Sequence, residues 1–139
     1  YLFGPYLMFV GVLISLWCIY FFRNPVRFTP QHQSLIISPA DGRVLSIEKA
    51  VPPPKLNLKG SDFTKIVIFM NIFDVHVNRM PIDGKFKSVK YVKGDFLAAF
   101  DHKASDKNER MEISIDTKFG LIIVKQIAGL VARRIFCYA

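Results

Sequence analysis

Polar side chains that could carry out catalysis are concentrated in the segment 73–81: Asp74, His76, Asn78 and Arg79. Histidine exchanges protons near neutral pH, a carboxylate can orient it, and a guanidinium group binds anions. The segment follows an apolar run, 66–70, that predicts a buried strand. Side chains where a strand leaves the core are held by the scaffold and can still reach a ligand. Taken alone, the segment is better explained by a half-exposed loop histidine beside an aspartate that forms a turn.

Composition narrows the class of protein to which this chain can belong. Its 139 residues suffice for one domain with a hydrophobic core, and the net charge is +8. Such a charge suits nucleic acid, an anionic membrane surface or an acidic ligand, but the dispersed basic residues argue against nucleic acid. Cys18 and Cys137 make no disulfide framework, and no Cys/His cluster has zinc-ligand spacing, so no metal site is predicted.

The N-terminal residues 1–22 contain no charged side chain and are predicted to form a transmembrane helix. About 20 apolar residues cross a bilayer as a helix. The alternatives are a buried core helix or the core of a signal peptide, but the run lacks a small-residue cleavage site at its end. Arg23 and Arg27 follow it, and by the positive-inside rule they place the globular part in the cytoplasm.

Residues 23–34 are predicted to form a linker, since Pro25 and Pro30 stop the helix. Residues 35–139 are predicted to form a mainly β domain, a two-layer β-sheet or barrel-sandwich-like structure. Asp41 lies in a tight turn between Pro39 and Gly42, where its alternative role is to bond the turn's own amides. The period-2 patterns and apolar runs predict strands at 42–48, 63–70, 85–93, 111–116, 121–128 and 130–136. The pair 111–116 and 121–128 forms the clearest hairpin.

Four motifs occur in order along the chain: Ser-Pro-Ala-Asp-Gly at 38–42, the segment 69–81, Asn-Glu-Arg at 108–110, and the segment 126–134. Together they resemble phosphatidylserine decarboxylase, most closely its short bacterial branch. A lone Pro-Ala-Asp-Gly is a weak signal because other β-rich carriers use it at turns. The ordered set is specific and covers nearly the whole chain.

The resemblance implies an enzyme that converts phosphatidylserine to phosphatidylethanolamine through a pyruvoyl group made from one of its own serines. The ketone of that group reacts with the substrate amine and accepts the electrons left by carbon dioxide. By motif match, Asp41 is the orienting carboxylate and His76 is the histidine of the catalytic loop. Arg79 and Asn78 are the implied substrate-binding residues.

The same resemblance implies a bacterial inner-membrane protein with phosphatidylserine of an anionic membrane as its substrate. It also implies a C-terminal, pyruvoyl-bearing chain cut from the same precursor, and it leaves a homodimer open. The family's Gly-Ser cleavage site is expected some tens of residues beyond Arg134. None of the serines of this sequence stands in that context, so we expect a C-terminally truncated chain that is inactive alone.

One departure concerns the base for self-cleavage. Long members of the family carry a second histidine three residues after the first, and here that position is Arg79. Arginine cannot act as a base at neutral pH. Either His76 serves both steps, or another group such as His102 supplies the base.

Two other classes of function remain open on the residues alone. The first is a non-enzymatic, membrane-tethered β domain that binds anionic lipid through the lysines of 85–93. The second is a carrier domain, with Lys118 at a hairpin tip as the lipoyl site or His76 as a phosphorylated histidine.

Overall fold

The computed structural model describes residues 4–30, 32, 34–51, 63–98 and 104–138. Its elements, in chain order, are α1 (Gly4–Phe21), β1 (Arg43–Ala50), β2 (Phe63–Phe69), β3 (Lys85–Val92), α2 (Ala104–Lys107), β4 (Arg110–Thr117) and β5 (Gly120–Ile127). β1 and β2 form a two-stranded antiparallel sheet, and β3, β4 and β5 form a three-stranded antiparallel sheet. The predicted mainly β fold behind an N-terminal apolar helix is confirmed.

The chain divides into two compact units. Unit 1 contains Tyr1–Phe28 and Ala40–Arg79, and therefore holds α1, β1 and β2. Unit 2 contains Thr29–Pro39 and Met80–Ala139, and therefore holds β3, α2, β4 and β5.

Helix α1 is long and apolar enough to cross a membrane. Its 18 residues span about 27 Å, close to the thickness of the hydrocarbon core. Side chains on all of its faces are exposed, and Phe21 is the one buried residue of the helix. A helix that is apolar all round and uncovered by protein suits a lipid environment.

In unit 1, the turn before β1 approaches the end of β2 closely. The paired strands run from Arg43 opposite Phe69 to Ala50 opposite Phe63. A Cβ atom on Gly42 would lie 2.5 Å from the carbonyl oxygen of Phe69, a backbone atom. A side chain at residue 42 would therefore push the turn away from β2, and with it the neighbouring Asp41.

Unit 2 is built around β4, which is paired on both edges. Ile113, Ser114 and Ile115 of this strand are buried. The turn between β4 and β5 is closed by Thr117, whose hydroxyl donates to the carbonyl of Gly120 at 2.7 Å. Gly120 has a φ of +106°, a conformation that glycine adopts without strain. The predicted hairpin is therefore confirmed.

Asn108, two residues before the start of β4, is completely buried. Its Nδ2 donates to the carbonyl oxygens of Leu97 and Ala128, both at 2.8 Å, and its Oδ1 accepts from the amide of Leu97 at 2.9 Å. One side chain thus provides hydrogen-bond partners for three backbone groups.

The predicted strand at 130–136 is wrong. The described part of this segment contains a bend and irregular backbone, and the amide of Gly129 bonds the carbonyl of Ala132 in a tight turn. An apolar run becomes a strand only when a neighbouring strand pairs with it, and within the described chain no strand does so.

Candidate active site

The predicted catalytic residue His76 lies in a loop, residues 71–79, here called the histidine loop. The loop begins with a turn in which Asp74 Oδ2 accepts from the amide of Asn71 at 2.8 Å, and Asn71 Oδ1 accepts from the amide of Phe73 at 2.8 Å. Val75, only 1% exposed, anchors the loop in the protein interior. The carboxylate of Asp74 is therefore used as a turn former, the structural alternative that the sequence offered.

The imidazole of His76 is half-buried and contacted from two sides. Its Nδ1 lies 3.0 Å from the carbonyl oxygen of Asp74. Because a carbonyl only accepts, Nδ1 carries the proton of this hydrogen bond, and Nε2 is the nitrogen that can accept a proton in the neutral ring. The ring stacks on Phe21, with 4.2 Å between the ring centroids and 27° between the planes.

Arg79 is bonded to the chain that follows α1. Its Nη2 donates to Asn24 Oδ1 at 2.6 Å and to the carbonyl of Pro25 at 2.8 Å. A guanidinium group has five N–H donors, so both hydrogens of Nη2 are used, while those of Nε and Nη1 have no hydrogen-bond partner among the described residues. Arg79 can thus hold the loop and still present donors to an anion.

Two buried acceptors lack a hydrogen-bond partner among the described residues: Asn78 Oδ1 and Gln126 Oε1. Buried polar atoms are normally paired, and an unpaired one indicates a missing donor or a functional role. Asn78 is the predicted substrate-binding residue beside Arg79. Gln126 opens the last of the four sequence motifs and was not selected from the sequence.

Asp41, the predicted orienting carboxylate, is paired with Arg27. Arg27 donates to Asp41 Oδ2 through Nη2 at 2.6 Å and through Nε at 3.1 Å. The two side chains are 41% and 37% exposed, so the pair is partly open to solvent. Asp41 and His76 share unit 1, but no hydrogen bond between them is present in the described chain. The orientation of His76 by Asp41 stays a prediction.

Arg23 makes the second link between the helix end and the histidine loop. Its Nη1 donates to the carbonyl of Tyr20 and its Nη2 to the carbonyl of Phe73, both at 2.9 Å. The guanidinium carbon also lies 3.7 Å from the ring centre of Tyr20, a cation–π contact. The sequence marked Arg23 and Arg27 only as charges flanking a helix. Their partners are 50 and 14 positions away, so no local signal identifies these contacts.

Two further candidate residues from the sequence are His102 and Lys118. His102 lies outside the described residues. Lys118 is at the β4–β5 turn, with its ammonium 5.1 Å from the ring centre of Phe119. Over the described ranges, no group of three His, Cys, Asp or Glu side chains could hold a metal ion.

Unit 2 contains a separate open groove of about 440 Å³. Tyr91, Glu109 and Arg133 are among its lining residues, and Arg133 packs over the ring of Phe96 at 5.5 Å. A hydrogen bond to Glu109 raises the pKa of the Tyr91 hydroxyl above its ordinary value. The groove contains none of the predicted catalytic residues.

The chain was compared with known protein families. The family model described as phosphatidylserine decarboxylase matches residues 14–139. The matched region includes Asp41, the whole histidine loop and both unpaired acceptors, and it begins inside α1.

Proposed function

Because the chain belongs to the phosphatidylserine decarboxylase family, we propose that it converts phosphatidylserine to phosphatidylethanolamine with release of carbon dioxide. The family match over residues 14–139 carries this proposal. Within the family, the ordered sequence motifs favour the short bacterial branch. The site geometry supports the proposal because the histidine loop combines a proton acceptor, a guanidinium group and an unpaired buried acceptor.

We propose that the reaction uses a pyruvoyl group derived from a serine outside this sequence. When bound, the group supplies a carbonyl that accepts the electrons left by the departing carbon dioxide. The side chains of the described chain provide no such carbonyl electron sink. The residues of the histidine loop fit such a site: Asn78 Oδ1 is a buried acceptor that needs a donor, and an amide N–H or a substrate ammonium group would supply one.

His76 is the proposed base. Its Nδ1 proton is held by the carbonyl of Asp74, which leaves Nε2 to accept a proton from a serine hydroxyl during self-cleavage. Asp41 is proposed to be the carboxylate that orients His76. In the structure, Arg27 binds Asp41. For Asp41 to accept from Nδ1 of His76, both the pair with Arg27 and the bond from Nδ1 to the Asp74 carbonyl would have to open.

Arg79 and Asn78 are the proposed binding residues for the substrate headgroup. Phosphatidylserine carries a phosphate, a carboxylate and an ammonium group. The remaining Nε and Nη1 donors of Arg79 match the anionic groups, since each can donate one charge-assisted hydrogen bond to a carboxylate or phosphate oxygen. Asn78 Oδ1 matches the ammonium group.

The proposed location is the bacterial inner membrane, with α1 in the bilayer and residues 28–139 in the cytoplasm. The uncharged helix followed by Arg23 and Arg27 supports this arrangement. In fractionated cells, the chain should stay in the membrane pellet after a carbonate wash. Release into the supernatant would contradict an integral helix.

The central experiment compares this chain with an extended protein, in which the C-terminal segment of a relative carrying the Gly-Ser site follows Ala139. We expect carbon dioxide release from phosphatidylserine by the extended protein and none by the chain alone. His76→Ala in the extended protein should slow self-cleavage by about 10²- to 10⁴-fold, seen as an uncleaved band on a denaturing gel. Asp41→Ala should slow it in the same direction.

His32→Ala is the matched control, because His32 is exposed and its side chain bonds only Ser34 in the described structure. Carbon dioxide release by the unextended chain would contradict the pyruvoyl proposal. Normal self-cleavage by His76→Ala would remove His76 as the base and direct attention to His102.

A second candidate function is lipid binding without catalysis. Lys85, Lys87 and Lys90 of β3 are all exposed and could contact anionic headgroups. This function predicts that the extended protein binds phosphatidylserine vesicles but releases no carbon dioxide. Charge reversal at these lysines would then abolish vesicle binding by the region after α1, whereas His76→Ala would leave it unchanged.

A further inference from the structure

The membrane helix contacts the rest of unit 1 through one buried side chain. Phe21, the last residue of α1, is 5% exposed, whereas the large apolar side chains of the helix from Tyr6 to Ile19 are exposed or half-exposed. The ring of Phe21 lies flat against the imidazole of His76. Trp17 and Phe22 pack around the same ring, with centroid distances of 5.1 and 5.0 Å.

Two arginines fasten both ends of the histidine loop to the same helix end. Arg23 joins the carbonyl of Tyr20 to that of Phe73, at the beginning of the loop. Arg79, the last residue of the loop, bonds Asn24 and Pro25. His76 lies between these two links. The loop is therefore positioned by residues 20–25 at three points: its two ends and its central ring.

A histidine ring needs more than one contact to be oriented. The last side-chain torsion of histidine has a broad preference, so the bond from Nδ1 to the Asp74 carbonyl leaves rotation about that bond open. A stacked ring restricts the plane of the imidazole. Together, the hydrogen bond and the stack define both where Nε2 lies and which way it points.

We propose that Phe21 is a positioning residue of the active site, and that the end of the membrane helix is a working part of this site as well as an anchor. The proposal rests on the proposed function, because it assumes that His76 Nε2 transfers a proton. It also implies that the reaction takes place where α1 leaves the bilayer. The headgroup of a membrane lipid is present at this level, so the substrate need not be lifted into solution.

The first test detects the stack directly by NMR. It uses the 139-residue chain with isotope-labelled histidine in lipid nanodiscs. Protons above an aromatic ring are shifted upfield by its ring current, so the ring protons of His76 should be displaced relative to those of the exposed His32. Phe21→Leu, which keeps an apolar side chain, should abolish the displacement. Phe21→Tyr, which keeps the ring, should retain it, and Phe9→Leu on the exposed surface of α1 should leave it unchanged.

The second test measures self-cleavage of the extended protein. Small misplacements of a reacting group cost about 10²-fold in rate, and we expect a loss of that size for Phe21→Leu. Phe21→Tyr should restore most of the rate, and Phe9→Leu should match the wild type. All three variants should remain in the carbonate-washed membrane pellet, which separates positioning from loss of the anchor.

Three results would overturn the proposal. The first is a His76 spectrum without the displacement in the wild-type chain, a result that does not depend on the folding of any variant. The second is normal cleavage by Phe21→Leu after its ring-current displacement has disappeared, which would make the stack merely structural. The third is equal slowing by Phe9→Leu. Failure of the wild-type extended protein to cleave, with the displacement present, would instead contradict the proposed function.

Discussion

The two units both contain antiparallel strands, but they are stabilised in different ways. In unit 2, β4 has a strand on each side, and apolar side chains such as Ile113, Ile115 and Ala128 are buried around it. In unit 1, the two-stranded sheet exposes Leu45 and Ile47 by more than half of their surfaces. The buried residues described there are Phe21 and Val75, one in the helix and one in the histidine loop.

A two-stranded sheet has no central strand and cannot cover its own faces, so it is only marginally stable alone. The histidine loop is correspondingly held by polar links, one aromatic stack and the single buried side chain of Val75. Functional loops often belong to the less stable parts of a protein, where rearrangement is possible. We interpret unit 2 as stabilised by its own buried core, and unit 1 as the part whose structure depends on the contacts made by the end of α1.

The largest expected difference between the units comes from removing apolar volume. Ile115→Ala in β4, at a position with 0% exposure, should lower the free energy of unfolding of unit 2 by about 2–5 kcal/mol. Ile47→Ala in β1, where the side chain is 68% exposed, should change stability by no more than about 0.5 kcal/mol. Native-state hydrogen exchange of the strand amides measures both. Equal effects would mean that Ile47 is covered in the working protein.

The next largest change in stability is expected from removing a buried polar side chain in unit 2. Asn108→Ala should cost about 2–3 kcal/mol, because it removes the side-chain donor to the half-buried carbonyl of Leu97 and the buried carbonyl of Ala128. Amides of β4 and β5 should exchange faster with solvent in this variant. Ser88→Ala, an exposed change on β3, is the control. Unchanged exchange in Asn108→Ala would show that the region around Asn108 can rearrange at little cost.

The smallest expected change in stability comes from removing one pH-dependent ion pair in each unit. In unit 2, a 2.8 Å hydrogen bond from Arg110, together with its charge, lowers the pKa of Glu112 below the ordinary 4.5. A lowered carboxylate pKa stabilises the fold above the ordinary pKa, and the contribution disappears as the pH falls through the lowered value. Glu112→Gln should therefore cost about 0.5 kcal/mol at neutral pH and nothing at strongly acidic pH.

The matched pair in unit 1 joins Lys65 to Glu48 at 3.1 Å, and the hydrogen bond and charge of Lys65 lower the pKa of Glu48 in the same direction. Both side chains are about half exposed, so Glu48→Gln should have a smaller effect than Glu112→Gln. Denaturant unfolding of each variant at neutral and acidic pH measures the difference. A cost that persists at acidic pH would assign the loss to packing and not to charge.

Much of the local structure could be read from the sequence because it depends on neighbouring residues. The uncharged run of 1–22 predicted a helix, and the alternation around the turn at Thr117–Gly120 predicted the β4–β5 hairpin. The segment 130–136 has a similar apolar pattern but forms no strand. A strand requires a partner from elsewhere in the chain, and composition does not specify that partner.

In the candidate site, too, some features could be predicted from the sequence and others only from the tertiary structure. Residue types and motif order were enough to select Asp41, His76, Asn78 and Arg79 and to indicate the family. Tertiary structure alone decided that Arg27 holds Asp41, that Arg79 bonds Asn24, and that Phe21 stacks on His76. These contacts join residues 14 to 55 positions apart. They depend on how the helix end packs against the histidine loop, and that packing leaves no periodic pattern in the sequence.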